Sequence, residues 1–579
     1  MPKNNHISRR GFNIALCISV CLIYLIPAFA TAPNYGLTWD EAMNEWYIGE
    51  RNLRYYLTLD KSWLDFKHPV DFSMDGRHPD LRHSGRPWRT QNFGNMLSSL
   101  GCYVFFFKLG WMNAIKAHHA PNFLLMAGVL AVMFSFMRKN FGIAATLIGV
   151  FAIAFQPRFW AHAHFNTKDF PYACIMAFTM LAAVRGILNK SAGWVVFASV
   201  LLGLAGATKP NAALIPAILA LWYLFARTDI SSKVKSNVNP HNEEFGRKGF
   251  LVALLAAPLV AVLVFYAAWP YLWTSPIEAL RLYLQWYMGS AVKGEPGFQW
   301  ATFIIFLIVQ PPAVLIFGTI GSWVAVRGII KNENRQAQAF LLFWFILPVI
   351  RVLLPRMYNY DGVRHFIEYA IPLGALTGIG AAQSFKWLIS AFKRRASQPV
   401  RAALAGIIVA LPFLTWSATM IRIHPYELVY FNFLLGGAAG AERKCYNCGL
   451  ATDYWGSSYR QGIEWLNANA EHDALVVVPI AGHIVRAVQR MWVRPDLRIA
   501  VTRHKSDEFL HQSLQGVRPG HIYVMYITRT RAYGELVRRV DYRGEIKHAI
   551  IVDGVPILKI VKLHNIAEFC GNKFPHTKR

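Results

Sequence analysis

Eleven apolar segments of spanning length, or nearly so, run through this 579-residue chain, at roughly 11–30, 119–137, 142–160, 170–188, 193–208, 210–226, 249–270, 301–326, 338–355, 366–385 and 401–420. Inside a bilayer every backbone amide must be satisfied within its own segment, so each predicts a helix, and the series predicts a mainly α, polytopic membrane bundle. A composition 54% hydrophobic and 16% charged excludes an ordinary soluble enzyme of this length. Segment 11–30 reads as a retained first helix. No clear small-x-small cleavage site followed by a soluble domain succeeds it, and many further spans do.

A twelfth stretch, about 93–112, sets the topology, because counting it as a span inverts every later loop. With eleven spans and a cytoplasmic N-terminus, the inward-facing pieces are 1–10, 138–141, 185–193, 227–248, 326–337 and 386–401. They hold 20 Lys and Arg against four acids, Asp229, Glu243, Glu244 and Glu333. Basic loops stay in the cytoplasm, so 93–112 is expected as an amphipathic or re-entrant helix against the outer face, and the polar region after 421 as extracytoplasmic. The expected location is the plasma (inner) membrane, multi-pass.

This gives a membrane module over 1–426 that contains a large first outer loop, 31–118. A linker, 427–449, a small extracytoplasmic α/β domain, 450–563, and a tail, 564–579, follow. Alternating patterns in the small domain predict helices near 458–470, 482–491 and 531–539. Strands are expected at 474–479, 497–502 and 521–527, with a hairpin 546–552/556–562 turning at Asp553-Gly554. No Gly-rich phosphate loop or nucleophile elbow occurs there, so its expected role is lid, acceptor recognition or stabilisation.

The net charge of +28 does not predict nucleic-acid binding, because topology accounts for 20 of the 60 basic residues and the rest form no stripe interleaved with aromatics. Cys17, Cys21, Cys102 and Cys174 read as small buried apolar residues. Cys445 and Cys448 lack a second ligand pair at zinc-finger spacing, and a local disulfide is the preferred reading.

Polar residues gather at the outer ends of the helices. Asp40-Glu41 lies about ten residues beyond the first span, where desolvation and like charge raise the proton affinity of paired acids. The second outer loop brings Arg158, His162, His164, Lys168 and Asp169 within a dozen residues. A metal at His162 and His164 needs a further ligand such as Asp40 or His83; otherwise they bond a polar head group. Lys209 occupies a Pro-broken connection, either as a snorkelling lysine or as a cation facing an anionic substrate. Arg364 and His365 precede the tenth span, and the planar fork of an arginine matches phosphate oxygens. Arg351 and Arg356 read as interfacial anchors. Glu45, Glu50, Asp60, Asp65, Asp71, Asp75 and Asp80 read mostly as surface charge among Lys and Arg.

The acidic pair after the first span, the juxtamembrane segment before the second, Asp169 and the outward Arg364 together resemble membrane glycosyltransferases of the GT-C class. The likeness is to bacterial relatives of the dolichyl-phosphate-mannose protein mannosyltransferases and aminoarabinose transferases. The segments His424-Pro-Tyr-Glu-Leu-Val-Tyr-Phe-Asn432 and Asp453-Tyr-Trp-Gly456 are similar to parts of bacterial members that carry an outer C-terminal domain. The resemblance implies transfer of a sugar from a polyprenyl-phosphate donor to a hydroxyl or amine of a protein, lipid or envelope glycan, by one inverting displacement. It implies Asp40 as general base with Glu41 tuning it, and acceptor or sugar contacts at Asp169, His162, His164 and Lys168. Donor-phosphate contacts would fall to Arg364, His365, Lys209 and Arg89, the last replacing a His-Pro-Pro or Lys-Pro segment of many relatives; Arg82 and His83 are the other candidates there. No cofactor is specified, and a divalent metal stays open. The rival class is a transporter or flippase of lipid-linked sugars. Such proteins usually show paired halves and midplane sites, neither of which is apparent.

Overall fold

The computed structural model describes residues 3–65, 76–81, 92–233, 240–291, 294, 296–394, 397–444, 452–501, 518 and 520–564. Arg82, His83, Arg89, Cys445 and Cys448 lie outside the described residues, as does the tail beyond 564. Helix α1 (Lys3–Thr31) is followed by α2 (Trp46–Thr58), whose first turn, Glu41–Glu45, is a π-helix. The stretch expected against the outer face forms α3 (Phe93–Gly101), continued by a π-helical segment over Cys102–Lys108. Next come α4 (Ala114–Ala154), α5 (Pro157–Phe165), α6 (Asp169–Leu188), α7 (Ala192–Gly206), α8 (Leu214–Lys233) and α9 (Pro240–Ala267). After the short α10 (Tyr271–Thr274) stand α11 (Pro276–Ala291), α12 (Trp300–Ile308), α13 (Pro312–Lys331), α14 (Arg335–Leu353), α15 (Ala370–Ala391) and α16 (Gln398–Ile423).

Seven helices among the described residues are long and apolar enough to cross a membrane, against the eleven expected. The difference has local causes. The expected span 119–137 and most of 142–160 lie in α4, which kinks at Gly142 (φ 82°, ψ 175°), while the end of the second falls in α5. Helix α7 and the apolar part of α8 are shorter than a full span, and α15 carries Gln383 and Lys386 among its apolar residues. Apolar side chains such as Leu255 (82% exposed) on α9 and Ile421 (79%) on α16 project outward, as lipid-facing helices require.

Helix α15 is the packing axis. A Cβ on Gly380 would lie 1.9 Å from the Phe317 carbonyl of α13, and one on Gly378 would lie 2.2 Å from the Ala145 carbonyl of α4. Small residues let backbones approach where lipid tails supply no hydrophobic drive between helices. This contact holds the segment before α15, which bears Arg364, against the rest of the bundle.

The segment expected as a linker is not bare coil: Leu428–Phe431 are buried, and α17 (Gly437–Lys444) follows. The small domain comprises α18 (Tyr459–Asn469), β1 (Leu475–Val478), α19 (Gly482–Trp492), β2 (Arg498–Val501), β3 (Ile522–Ile527), α20 (Glu535–Arg543), β4 (Glu545–Val552) and β5 (Val555–Leu563). The helix expected near 531–539 therefore starts later. Sheet order is β2-β1-β3-β5-β4, parallel across β2, β1 and β3 and antiparallel beyond. The β4–β5 turn uses positive φ at Asp553 (47°) and Gly554 (79°), which suits a tight hairpin. The domain sits on one end of the bundle: Trp39 N–H donates to the Trp455 carbonyl (2.9 Å), and Asp80 N–H to that of Ala487 (2.7 Å).

Gly380→Ala should lower the Tm of the detergent-solubilised protein, by about 1–3 kcal/mol of stability or more, since the α13 backbone must retreat. Gly406→Ala, which meets nothing within 4 Å, should leave it nearly unchanged. Equal melting of the two variants would contradict this account of α15.

Candidate active site

A cavity of about 470 Å³ opens at the end of the bundle that carries the small domain, lined in part by Asp40, Glu45, Lys168, Asp169, Lys209, Arg351, Arg364 and His365. Local structure aims each of them. In the π turn Glu41–Glu45, hydrogen bonds close five residues apart, so Asp40 and Glu45 project to one side. Glu41 turns away, 1% exposed, and does not line the cavity. Asp169 opens α6, where the Asn166 side chain accepts from the backbone N–H of Lys168 (3.1 Å) and Asp169 (2.7 Å). Asp361 (φ 55°) and Gly362 (φ 72°) curl the loop before α15 so that the Asp361 carboxylate returns onto Arg364.

Arg364 is the hub. Its Nη1 lies 3.0 Å from Asp40 Oδ2 and 3.5 Å from Asp169 Oδ2, and its Nη2 3.2 Å from Asp361 Oδ2. The guanidinium is centred 5.0 Å from the Trp455 ring and 5.2 Å from Tyr360. Lys209 Nζ is 2.7 Å from Asp169 Oδ1 and donates to the His365 carbonyl (3.1 Å). Asn211 Nδ2 (2.8 Å) and Arg351 Nη2 (2.9 Å) donate to that same carbonyl. From the small domain, Arg529 Nη2 reaches Asp361 Oδ1 at 2.9 Å, while its guanidinium lies over Trp39.

Burial raises the Asp40 carboxyl above its ordinary range, with Arg364 opposing and Asp361 and Asp169 adding to the rise. Burial, and then the charge of Asp40, push Glu45 up to about 8, so near neutrality it is mainly protonated. Burial, and then Arg364, pull the His365 imidazole down, so it faces the cavity as a neutral hydrogen-bonding group.

Of the residues singled out in the sequence, Asp40, Lys168, Asp169, Lys209, Arg364 and His365 therefore meet at one cavity. His162 and His164 do not line it: His162 Nδ1 contacts Asn166 (3.1 Å), and His164 stacks on Tyr35 with ring centroids 4.0 Å apart. Nor do they converge with Asp40 as a metal set. Among the described residues, the ligand-type atoms that cluster are those of Glu41, His118 and His119. Arg158 lies at the Tyr430 carbonyl and over Phe431, which ties down the segment after α16. Two readings need correction. Glu45 and Glu50 are buried, not surface charge, because the segment after the first span folds back onto the bundle as helix. Arg351, read as an anchor, lines the cavity. Asp361 and Arg529 had carried no signal beyond their charge. Glu45 had one, its spacing of five from Asp40, legible only if a π turn is assumed.

Residues 103–241, about a quarter of the chain, match the family model described as dolichyl-phosphate-mannose-protein mannosyltransferase. No curated protein sequence matches the chain. Among solved structures it is similar to ArnT from Cupriavidus metallidurans bound to undecaprenyl phosphate (13% identity, 95% of this chain and 97% of that one, TM-score 0.47). It is also similar to the Archaeoglobus fulgidus oligosaccharyltransferase tethered with an acceptor peptide (13%, 88% and 69%, TM-score 0.41). A third likeness is to the mycobacterial arabinofuranosyltransferase AftD (15%, 94% and 41%, TM-score 0.39).

Glu45 makes a pH prediction. Its folded pKa of about 8 exceeds the ordinary 4.5, so between these values the native state holds a proton that the unfolded chain releases, and stability falls as pH rises. Wild-type Tm should drop between pH 5 and 8.5 by a few degrees more than that of Glu45→Gln, which mimics the protonated acid. Parallel Tm curves for the two proteins would refute it.

Proposed function

We propose that this chain is a membrane glycosyltransferase that moves a sugar from a polyprenyl-phosphate donor to a hydroxyl or amine of an extracytoplasmic protein, lipid or envelope glycan. The observation that carries this reading is the 3.0 Å approach of Arg364 to Asp40 at the wall of the cavity, a base and a phosphate-matched cation side by side at the end of a membrane bundle. The match of residues 103–241 to a mannosyltransferase model supports sugar transfer.

In this reaction the acceptor gives its proton to Asp40 as its oxygen or nitrogen bonds to the anomeric carbon. The bond from that carbon to the phosphate oxygen breaks, the electron pair leaves on phosphate, and the configuration inverts. Arg364, Lys209 and Arg351 stabilise the charge gathering on the leaving phosphate, and His365 offers it a neutral hydrogen bond. Asp169, its oxygens engaged by Lys209, Arg364 and the amide of Asn166, acts through the two cations. Donor binding also prepares the base: phosphate that draws Arg364 away from Asp40 leaves the carboxylate uncompensated and more basic.

Purified full-length protein, given radiolabelled undecaprenyl-phosphate sugars and a membrane extract, should label an acceptor, and Asp40→Asn should slow this by roughly 10²–10⁴ at normal expression. Absence of any Asp40-dependent label would end the proposal. Arg529→Gln, acting through Asp361 on Arg364, should raise the donor KM more than it lowers kcat, with Arg529→Lys recovering part of the loss. A variant with both constants unchanged would remove Arg529 from the site.

A further inference from the structure

The face of the Glu41–Glu45 turn opposite the cavity carries a second constellation. Glu41 Oε1 lies 2.7 Å from His119 Nε2 and 3.3 Å from His118 Nδ1, and the three ligand-type atoms all fall within 4.8 Å of one another. All three residues are buried, Glu41 at 1% exposure and both histidines at 0%.

Two features distinguish this cluster from a carboxylate held by two N–H groups. His118 Nδ1 makes no hydrogen bond, although a carboxylate oxygen is 3.3 Å away. Its ring cannot swing to improve the angle, because it is stacked flat on Trp46, with centroids 3.7 Å apart and planes 10° apart. The 3.3 Å between His118 Nδ1 and Glu41 Oε1 matches the spacing of two ligands about 2.0–2.1 Å from a tetrahedral zinc, whereas His119 Nε2, hydrogen-bonded to the same oxygen at 2.7 Å, has to draw back by roughly half an ångström to share the ion. The second feature is Glu41 Oε2, which accepts from Thr38 Oγ1 (2.7 Å) and Thr38 N–H (3.1 Å), the type of outer contact that orients a metal-bound carboxylate. With neutral imidazoles the three side chains carry one buried negative charge and no positive one, which favours a cation among them.

We propose that Glu41, His118 and His119 bind a divalent transition-metal ion, zinc best matching a set of two imidazoles and one carboxylate. The ion joins the start of α4 to the π turn that presents Asp40, which makes Glu41 a positioning residue. The binding does not depend on the sugar-transfer reading; only an effect on turnover would.

The test uses full-length protein without a polyhistidine tag, purified in detergent without chelator, then dialysed against zinc and washed. Elemental analysis should find near one zinc per chain. Chelation should lower the Tm, and added zinc should restore it. Glu41→Gln and His119→Ala should each cut bound zinc at least about tenfold. His119→Cys provides the control against simple unfolding. A thiolate can replace an imidazole on a metal, so this variant should keep its metal and, loaded with cobalt, show thiolate-to-cobalt absorption, whereas an imidazolium–carboxylate pair would be lost. Wild type that holds no zinc and melts alike with and without chelator would overturn the proposal and leave a His–Glu ion pair. Zinc retained equally by the Glu41 and His119 variants would overturn it too, by locating the metal elsewhere. Protein that binds zinc here yet transfers no sugar would refute the functional reading and leave this one intact.

Discussion

A single guanidinium organises this end of the molecule. Arg364 is within ion-pairing distance of Asp40, Asp169 and Asp361, which come from the first loop, the start of α6 and the loop before α15. Lys209 shares Asp169, and Arg529 shares Asp361. At the core of the network three carboxylates face three cations. Buried charges persist only when paired, and breaking such a pair by removing one partner costs about 3–5 kcal/mol. Burial, and then the charge of Asp40, make Glu45, a fourth carboxylate beside this set, cheaper to keep protonated. Arg351 and Lys168 then add positive charge at the wall, suited to an anionic ligand.

Much of this was legible in the sequence, for a physical reason. A bilayer forces helices of known length, so hydropathy locates their ends, and charge bias assigns the ends to sides. Asp40, Asp169, Lys209 and Arg364 stand out because each is an ionisable group at a helix end assigned to the same side. The small domain was readable strand by strand, because alternation and the Asp553-Gly554 turn are local signals.

The rest depended on contacts that no local pattern encodes. Asp361 and Arg529 are 168 positions apart, and nothing around either announces the other. His118 and His119, at the boundary between the first outer loop and the 119–137 segment, carried no signal, yet they meet Glu41 some 78 positions earlier. His162 and His164 show the converse. Polar residues in a loop suggested a cavity lining, but the loop coils into α5, and Tyr35, Trp160 and Asn166 engage the two rings in its interior.

The Arg529 contact also bears on when the pocket comes into being. Its parts are synthesised in chain order, from Asp40 through Asp169 and Lys209 to Arg364, but Arg529, the second cation on Asp361, arrives only when about nine-tenths of the polypeptide has been made. Until then the hub arginine faces an excess of carboxylates. The charge balance around Asp40 is thus a property of the finished chain, and a nascent or truncated product carries the acid without its full set of counter-charges.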